Sequence, residues 1–100
     1  MDTTTLRQIL LAEMRKYAGE GFNAFSHLTI SEDEKVYAII DFADVLGKRV
    51  VGAVLIARLI DNMIYIDLDH NDKMLVDALL AHGVPEDQII LAYQQDKTLA

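Results

Sequence analysis

The stretch from Gly52 to Leu91, GAVLIARLIDNMIYIDLDHNDKMLVDALLAHGVPEDQIIL, reads as strand, tight turn, strand, short helix and helix stop in one unbroken line. Its pivot is Asp61-Asn62, a pair that tolerates the positive φ of a two-residue hairpin turn. Arg49 to Ile60 before the pivot and Met63 to Leu68 after it are rich in the branched and apolar side chains of strands. A two-residue turn fixes the register. Leu59, Ala57 and Leu55 then face Ile64, Ile66 and Leu68, a uniformly apolar set expected to form the core. The opposite face pairs Ile60 with Met63, Arg58 with Tyr65 and Ile56 with Asp67, half apolar and half charged. A slip by one residue would put Arg58 on the core side, a cost too high to persist.

Downstream, Asn71 or Asp72 is expected to cap a helix running to His82, with Met74, Leu75, Ala78 and Leu79 as its buried stripe. Gly83 stands where a helix stop needs a left-handed residue, Pro85 blocks continuation, and Val84 is expected to fold back on Leu79. Gln88 to Tyr93 reads as a short extended segment, and the polar tail from Gln94 to Ala100 is expected to fray.

Upstream, Val36 to Phe42 is a strand with Val36, Ala38, Ile40 and Phe42 on one face, preceded by the charged turn Ser31 to Lys35 and a strand over Phe25 to Ile30. Ala43 to Lys48 reads as a loop. Thr3 to Tyr17 is a helix by the spacing of Leu6, Ile9, Leu10, Met14 and Tyr17, with Thr3 to Thr5 as capping hydroxyls. Arg7, Glu13, Arg15 and Lys16 are assigned to its wet face, and Gly19 and Gly21 to its end. The order predicts one α+β domain over residues 1–100. It is an antiparallel β-meander of about four strands, with an N-terminal and a C-terminal helix packed on one face.

One hundred residues can bury about two-thirds of their unfolded surface, enough for one modest core. An apolar fraction of 52% is rich for that size and points to surface covered by another subunit. A formal charge of −7 repels phosphate backbones, so direct, stand-alone nucleic-acid binding is not expected. The absence of cysteine excludes disulfides, thiolate catalysis and cysteine-ligated metals, and fits a reducing cytoplasm. No run approaches the ~20 apolar residues of a membrane span; the longest, around Val50 to Ile60, contains Arg58.

No catalytic constellation emerges, and no cofactor is implied. Asp67, Asp69 and Asn71 open like a calcium loop, but Asp72 stands where the loop needs glycine and Ala78 where it needs a bidentate acid. An enzyme built on Asp67, Asp69, His70 and Asp72 would therefore lack a coherent site. His27, His70 and His82 have no paired spacing for zinc. Ser26 and His27, adjacent on a strand, point to opposite faces and cannot act as nucleophile and base. The mixed face of the hairpin is the stronger candidate. Arg58 is expected to stack on Tyr65 and reach Asp67, with Val54, Ile56 and Met63 as apolar anchors of a partner or homodimer interface.

From Gly52 to Tyr93 the chain also resembles the XisI-like family of fdxN-element excision controlling factors of cyanobacteria. The matching landmarks are Gly52, Leu59, Ile64, Ile66, Asp69, Leu79, Gly83-Val84-Pro85, Asp87, Ile89, Leu91 and Tyr93. Where that family often carries His-x-Asp on the third strand, a tryptophan on the fourth and glycine-lysine in the hairpin, this chain has Ile56 and Arg58, Tyr65, and Asn62-Met63. Four of these departures, at 56, 58, 63 and 65, fall on the mixed face. The resemblance implies an accessory factor rather than an enzyme, acting in programmed DNA-element excision. Its implied partners are an XisH-like companion and a site-specific recombinase complex. It leaves open the alternative of an acidic, antitoxin-like inhibitor of that companion nuclease.

Overall fold

The computed structural model describes residues 1–95, with side chains to Gln94. The chain runs α1 (Thr3–Met14), β1 (Gly19–Gly21), β2 (Ala24–Ile30), β3 (Val36–Val45), β4 (Lys48–Ile60), β5 (Met63–Asp69), α2 (Leu75–Ala81), β6 (Ile89–Leu91) and α3 (Ala92–Gln95). Tight 3-10 turns at Arg15–Tyr17 and Glu86–Gln88 follow α1 and precede β6. The α+β class stands. The sheet, however, has six strands in the order β1-β2-β3-β4-β5-β6 rather than about four, and it is mixed: β6 runs parallel to β5. A parallel neighbour requires a crossover, and α2 supplies it.

The hairpin turn is as expected. Asp61 and Asn62 have φ of 53° and 60°, the two left-handed residues of a type I′ turn whose twist matches the flanking strands. The Asn62 side chain accepts from the Thr3 hydroxyl, and its carbonyl accepts from Gln88 Nε2 at 2.9 Å, so the turn is tied to α1 and to the segment before β6. Leu59 opposes Ile64 and Ala57 opposes Ile66 as expected. Past that point the register shifts. Leu68 opposes Ile56 and Asp69 opposes Leu55, because Asp67 is an extra residue bulged out of β5. Leu68 therefore leaves the core side, and Asp69 replaces it.

Asp69 also corrects the expected cap. Neither Asn71 nor Asp72 closes the start of α2. The Asp69 carboxylate does, accepting from the Leu75 backbone N–H at 2.7 Å and from the Asn71 backbone and side chain at 3.1 and 2.9 Å. The helix stops as expected. Gly83 has φ of 96°, its N–H donates to Leu80 O at 3.0 Å, the Val84 N–H donates to Leu79 O at 3.1 Å, and Val84 is buried.

Both main helices lie on one face of the sheet. Leu6, Leu10 and Met14 of α1 and Leu75 and Leu79 of α2 close over Tyr37, Ile39, Leu55, Ala57, Leu59, Ile64 and Ile66. The inward residues of β3 are thus Tyr37 and Ile39, and Val36, Ala38, Ile40 and Phe42 share the other face. Asp2, not the threonines, caps α1 by accepting from the Thr5 N–H at 2.7 Å. Gly19 to Gly21 do more than end the helix, since they pair with Ala24–Ser26 as β1. The loop expected over Ala43–Lys48 is a second tight hairpin: β3 continues to Val45, β4 begins at Lys48, and Leu46 and Gly47 turn the chain with φ of 53° and 79°. At the other end, Tyr93 and Gln94 lie in α3 rather than in an extended segment and a tail, and the fraying expected of the last residues lies, for 96–100, outside the described residues.

One acid expected on the wet face is buried. Glu13, 6% exposed, accepts from Lys16 Nζ at 2.9 Å and lies 3.2 Å from His82 Nδ1, which ties α1 to the end of α2. The Lys16 hydrogen bonds, aided by His82, hold its carboxyl below the ordinary value near 4.5. A carboxylate lowered in the folded state stabilises above its unfolded pKa, and that contribution disappears as pH falls through the folded one. Denaturant unfolding of the wild type should therefore show stability dropping from pH 6 toward pH 3, and Glu13→Gln should flatten part of that drop. An unchanged profile in the variant would reject the assignment.

Candidate docking surface

Among the described residues, no other element covers the face of the sheet opposite the two main helices. Strand parity places Phe25 and His27 of β2, Ala38, Ile40 and Phe42 of β3, Ala53, Ile56 and Arg58 of β4, Tyr65 and Leu68 of β5 and Ile90 of β6 on it. Neighbouring side chains shield one another, so most are half-buried.

The Arg58 cluster forms as the sequence predicts. Arg58 Nε and a terminal guanidinium nitrogen donate to the two oxygens of Asp67 at 2.7 and 3.0 Å, and the guanidinium carbon stands 4.7 Å from the centre of the Tyr65 ring. Asp67 stands on the open face beside Arg58 by the same alternation that places Tyr65 there, and the bulge follows it, redirecting Leu68 and Asp69. The Asp67 hydrogen bonds raise the Arg58 pKa. With Arg58 37% and Asp67 30% exposed, solvent screens the pair, so its value to folding is about 1 kcal/mol or less. Ile56 and Met63 lie on the same face. Val54 does not belong with them. It sits at the β3–β4 register shift, packs against the helix-covered core, and its carbonyl accepts from the His70 N–H and the Asn71 side chain at 2.9 and 3.2 Å.

At the other end of the face is an aromatic group that the sequence reading did not single out. Phe25 and Phe42 stack with centroids 4.9 Å apart, His27 meets both rings edge-on, and Arg49 lies 5.9 Å from the Phe42 centroid. Beyond it the β3–β4 hairpin forms an arm. Every residue from Asp44 to Gly52 is exposed, including Val45, Leu46, Val50 and Val51; Leu46 is 99% and nearby Phe22 93% exposed. The arm contributes to a long axis of 45 Å in a chain 27 Å thick.

The other candidate residues are separated. Ser26 Oγ donates to Asp41 at 2.5 Å, while His27 lies with the aromatics on the opposite face. Asp67 is engaged by Arg58, Asp69 by the start of α2, and among the described residues no group of three or more histidines or acids could hold a metal ion. Among the described residues no helix is long and apolar enough to cross a membrane.

Comparison with known proteins settles the ancestry. The sequence model described as XisI protein matches residues 1–99. The chain belongs to the XisI family. Two crystal structures from Anabaena variabilis share the XisI fold with it. A XisI-like protein is 16% identical with a TM-score of 0.69, the match covering 90% of this chain and 82% of that one. The fdxN element excision controlling factor XisI is 24% identical with a TM-score of 0.71, covering 92% and 93%. Likeness at these identities is one of fold. No curated protein matches the chain.

Proposed function

We propose that this XisI-family chain is a non-catalytic, cytoplasmic accessory factor that acts in DNA-element excision through protein partners. The uncovered sheet face is a docking surface on which that action depends. The observation that carries this reading is the sorting of the sheet. One face holds the core cluster, and the other presents aromatic and aliphatic side chains with an Arg58–Asp67 pair and has no helix packed on it among the described residues. Such a mixture is that of interfaces rather than of catalytic clefts. The family and the solved excision controlling factor of the same fold supply the biological setting. The partners expected on this reading are a XisH-like companion and a recombinase complex.

The test is genetic. Quantitative amplification of the excision junction should change on deletion of the gene, and an Arg58→Ala/Tyr65→Ala double variant should fail to restore it while accumulating as folded protein. Restoration to the wild-type level by the double variant would reject the docking surface. Wild-type excision in the deletion strain would reject the role.

The acidity favours a second reading, in which the chain inhibits the nuclease of its companion by competing for a basic groove. Purified nuclease assayed with and without the chain decides it, and unchanged cleavage removes it.

A further inference from the structure

We infer that the uncovered sheet face packs against the same face of a second copy about a twofold axis. The arm of each chain then reaches over the Arg58–Tyr65–Asp67 end of the other. This rests on the docking reading and names one occupant for that surface.

Area is the first argument. The six strands have 3, 7, 10, 13, 7 and 3 residues, and at about 3.4 Å per residue and about 4.8 Å per strand they present roughly 700 Å² of face. A stable standard-size interface takes about 800 Å² from each partner. The centre of the face, Ala38, Ile40, Ala53, Ile56 and Leu68, is free of formal charge, as the desolvated centre of an interface should be.

Charge is the second. The face carries Glu20, Asp44 and Asp67 against Arg49 and Arg58, three acids to two bases and a formal −1, so −6 of the chain's −7 lies elsewhere. Two strongly acidic chains repel along every other approach. The nearly neutral face is the one along which two copies can meet, and it offers little to a basic groove or a phosphate backbone.

Symmetry is the third. Two arginine-on-ring units stand at opposite ends of the face: Arg49 by Phe42 on the arm, and Arg58 over Tyr65 near the helix-covered end. A twofold axis through the middle lays each end on the unlike end of the other chain. That brings the Arg49 of each copy toward the Asp67 carboxylate of the other, whose remaining lone pairs can accept from it. It also gives the arm a surface to rest on. Two strands without cover on either side are marginal in water, and among the described residues Asp44 to Gly52 are all exposed. The stacked sheets would lie about 10 Å apart with their helices outermost.

Sedimentation equilibrium and light scattering on the full chain test this. The expected mass is twice the 11.2 kDa of one chain at micromolar concentration. Ile56→Glu, at the centre, should weaken association by at least about 100-fold. Val51→Glu, on the exposed arm where no core contact is at stake, should weaken it similarly with an unchanged far-ultraviolet spectrum. A monomer up to about 1 mM, a dimer indifferent to both variants, or a chain that gains mass only with a companion protein or a single-stranded oligonucleotide each overturns the inference. If Val51→Glu yields a monomer that still supports excision, the twofold dimer stands and the docking reading falls.

Discussion

Leu55→Ala is expected to destabilise the chain by about 3 kcal/mol, within the range of 2–5 kcal/mol for emptying a core leucine site. Ile56→Ala, one residue on, should cost about 1 kcal/mol when measured at concentrations where the chain is monomeric. The physical difference is a 180° rotation along one strand. Leu55 is fully buried under the helices, whereas Ile56 opposes Leu68 on the open face. Its neighbours there, Ala53 and Ala38, are too small to enclose it. Urea unfolding of both variants checks the contrast. Equal costs would mean that both faces are covered within one chain, and the case for a docking surface would go with that result. At high concentration the order should narrow, because Ile56→Ala then also loses contacts across the dimer.

That contrast was legible in the sequence because the turn was. Two residues able to take positive φ, flanked by unbroken strand patterns, leave one register, and the register assigns Leu59, Ala57, Ile64 and Ile66 to the core without any knowledge of the helices. The reading failed where alternation by twos stopped being true. A bulge is set by a tertiary gain, here Asp69 turned to the helix side where it accepts from the Leu75 N–H, and no local propensity encodes that gain. In β3 the residues from Val36 to Ile40 are all apolar or aromatic, so both faces look alike and the helices decide which is buried. β6 is three residues long and pairs in parallel through a crossover, a tertiary event with no signal in QIIL itself.

Two misses did have a signal. Leu6, Leu10, Glu13 and Tyr17 follow helical spacing of four, three and four, so Glu13 lies within the apolar stripe; charge outweighed position in the reading, and the buried pairing with Lys16 and His82 was lost. Leu46-Gly47 between strand patterns is also an available hairpin turn, and treating it as a loop hid the arm. The docking surface itself was half legible. The Arg58–Tyr65–Asp67 cluster follows from cross-strand spacing, but the Phe25–Phe42–His27 group joins β2 to β3 across a register that the imperfect alternation of β2 did not define.

Asp69→Ala should be the most damaging change outside the apolar core, at about 2–3 kcal/mol, the cost of removing a charged acceptor from partly buried donors. Three donors converge on this carboxylate, from the Leu75 N–H and from the backbone and side chain of Asn71. Leu75 is the first residue of α2, whose seven residues are too few to persist without tertiary support. Without the acceptor, the Leu75 N–H is stranded beside a fully buried side chain, and Asn71 loses both of its bonds to Asp69, keeping only the side-chain bond to the Val54 carbonyl of β4. Because α2 carries Leu75 and Leu79 onto the sheet, fraying would open the core from that side. Asp69→Asn keeps an oxygen acceptor and should recover roughly half of the loss, since the charge contributes about as much as the geometry. Hydrogen exchange should show protection falling first at the amides of Leu75 to Leu79 in Asp69→Ala, with the Asp61–Asn62 hairpin amides following only on global unfolding. Uniform loss of protection, or an alanine variant as stable as the wild type, would mean that the helix is held by packing alone and that the bulge is not set by what Asp69 accepts.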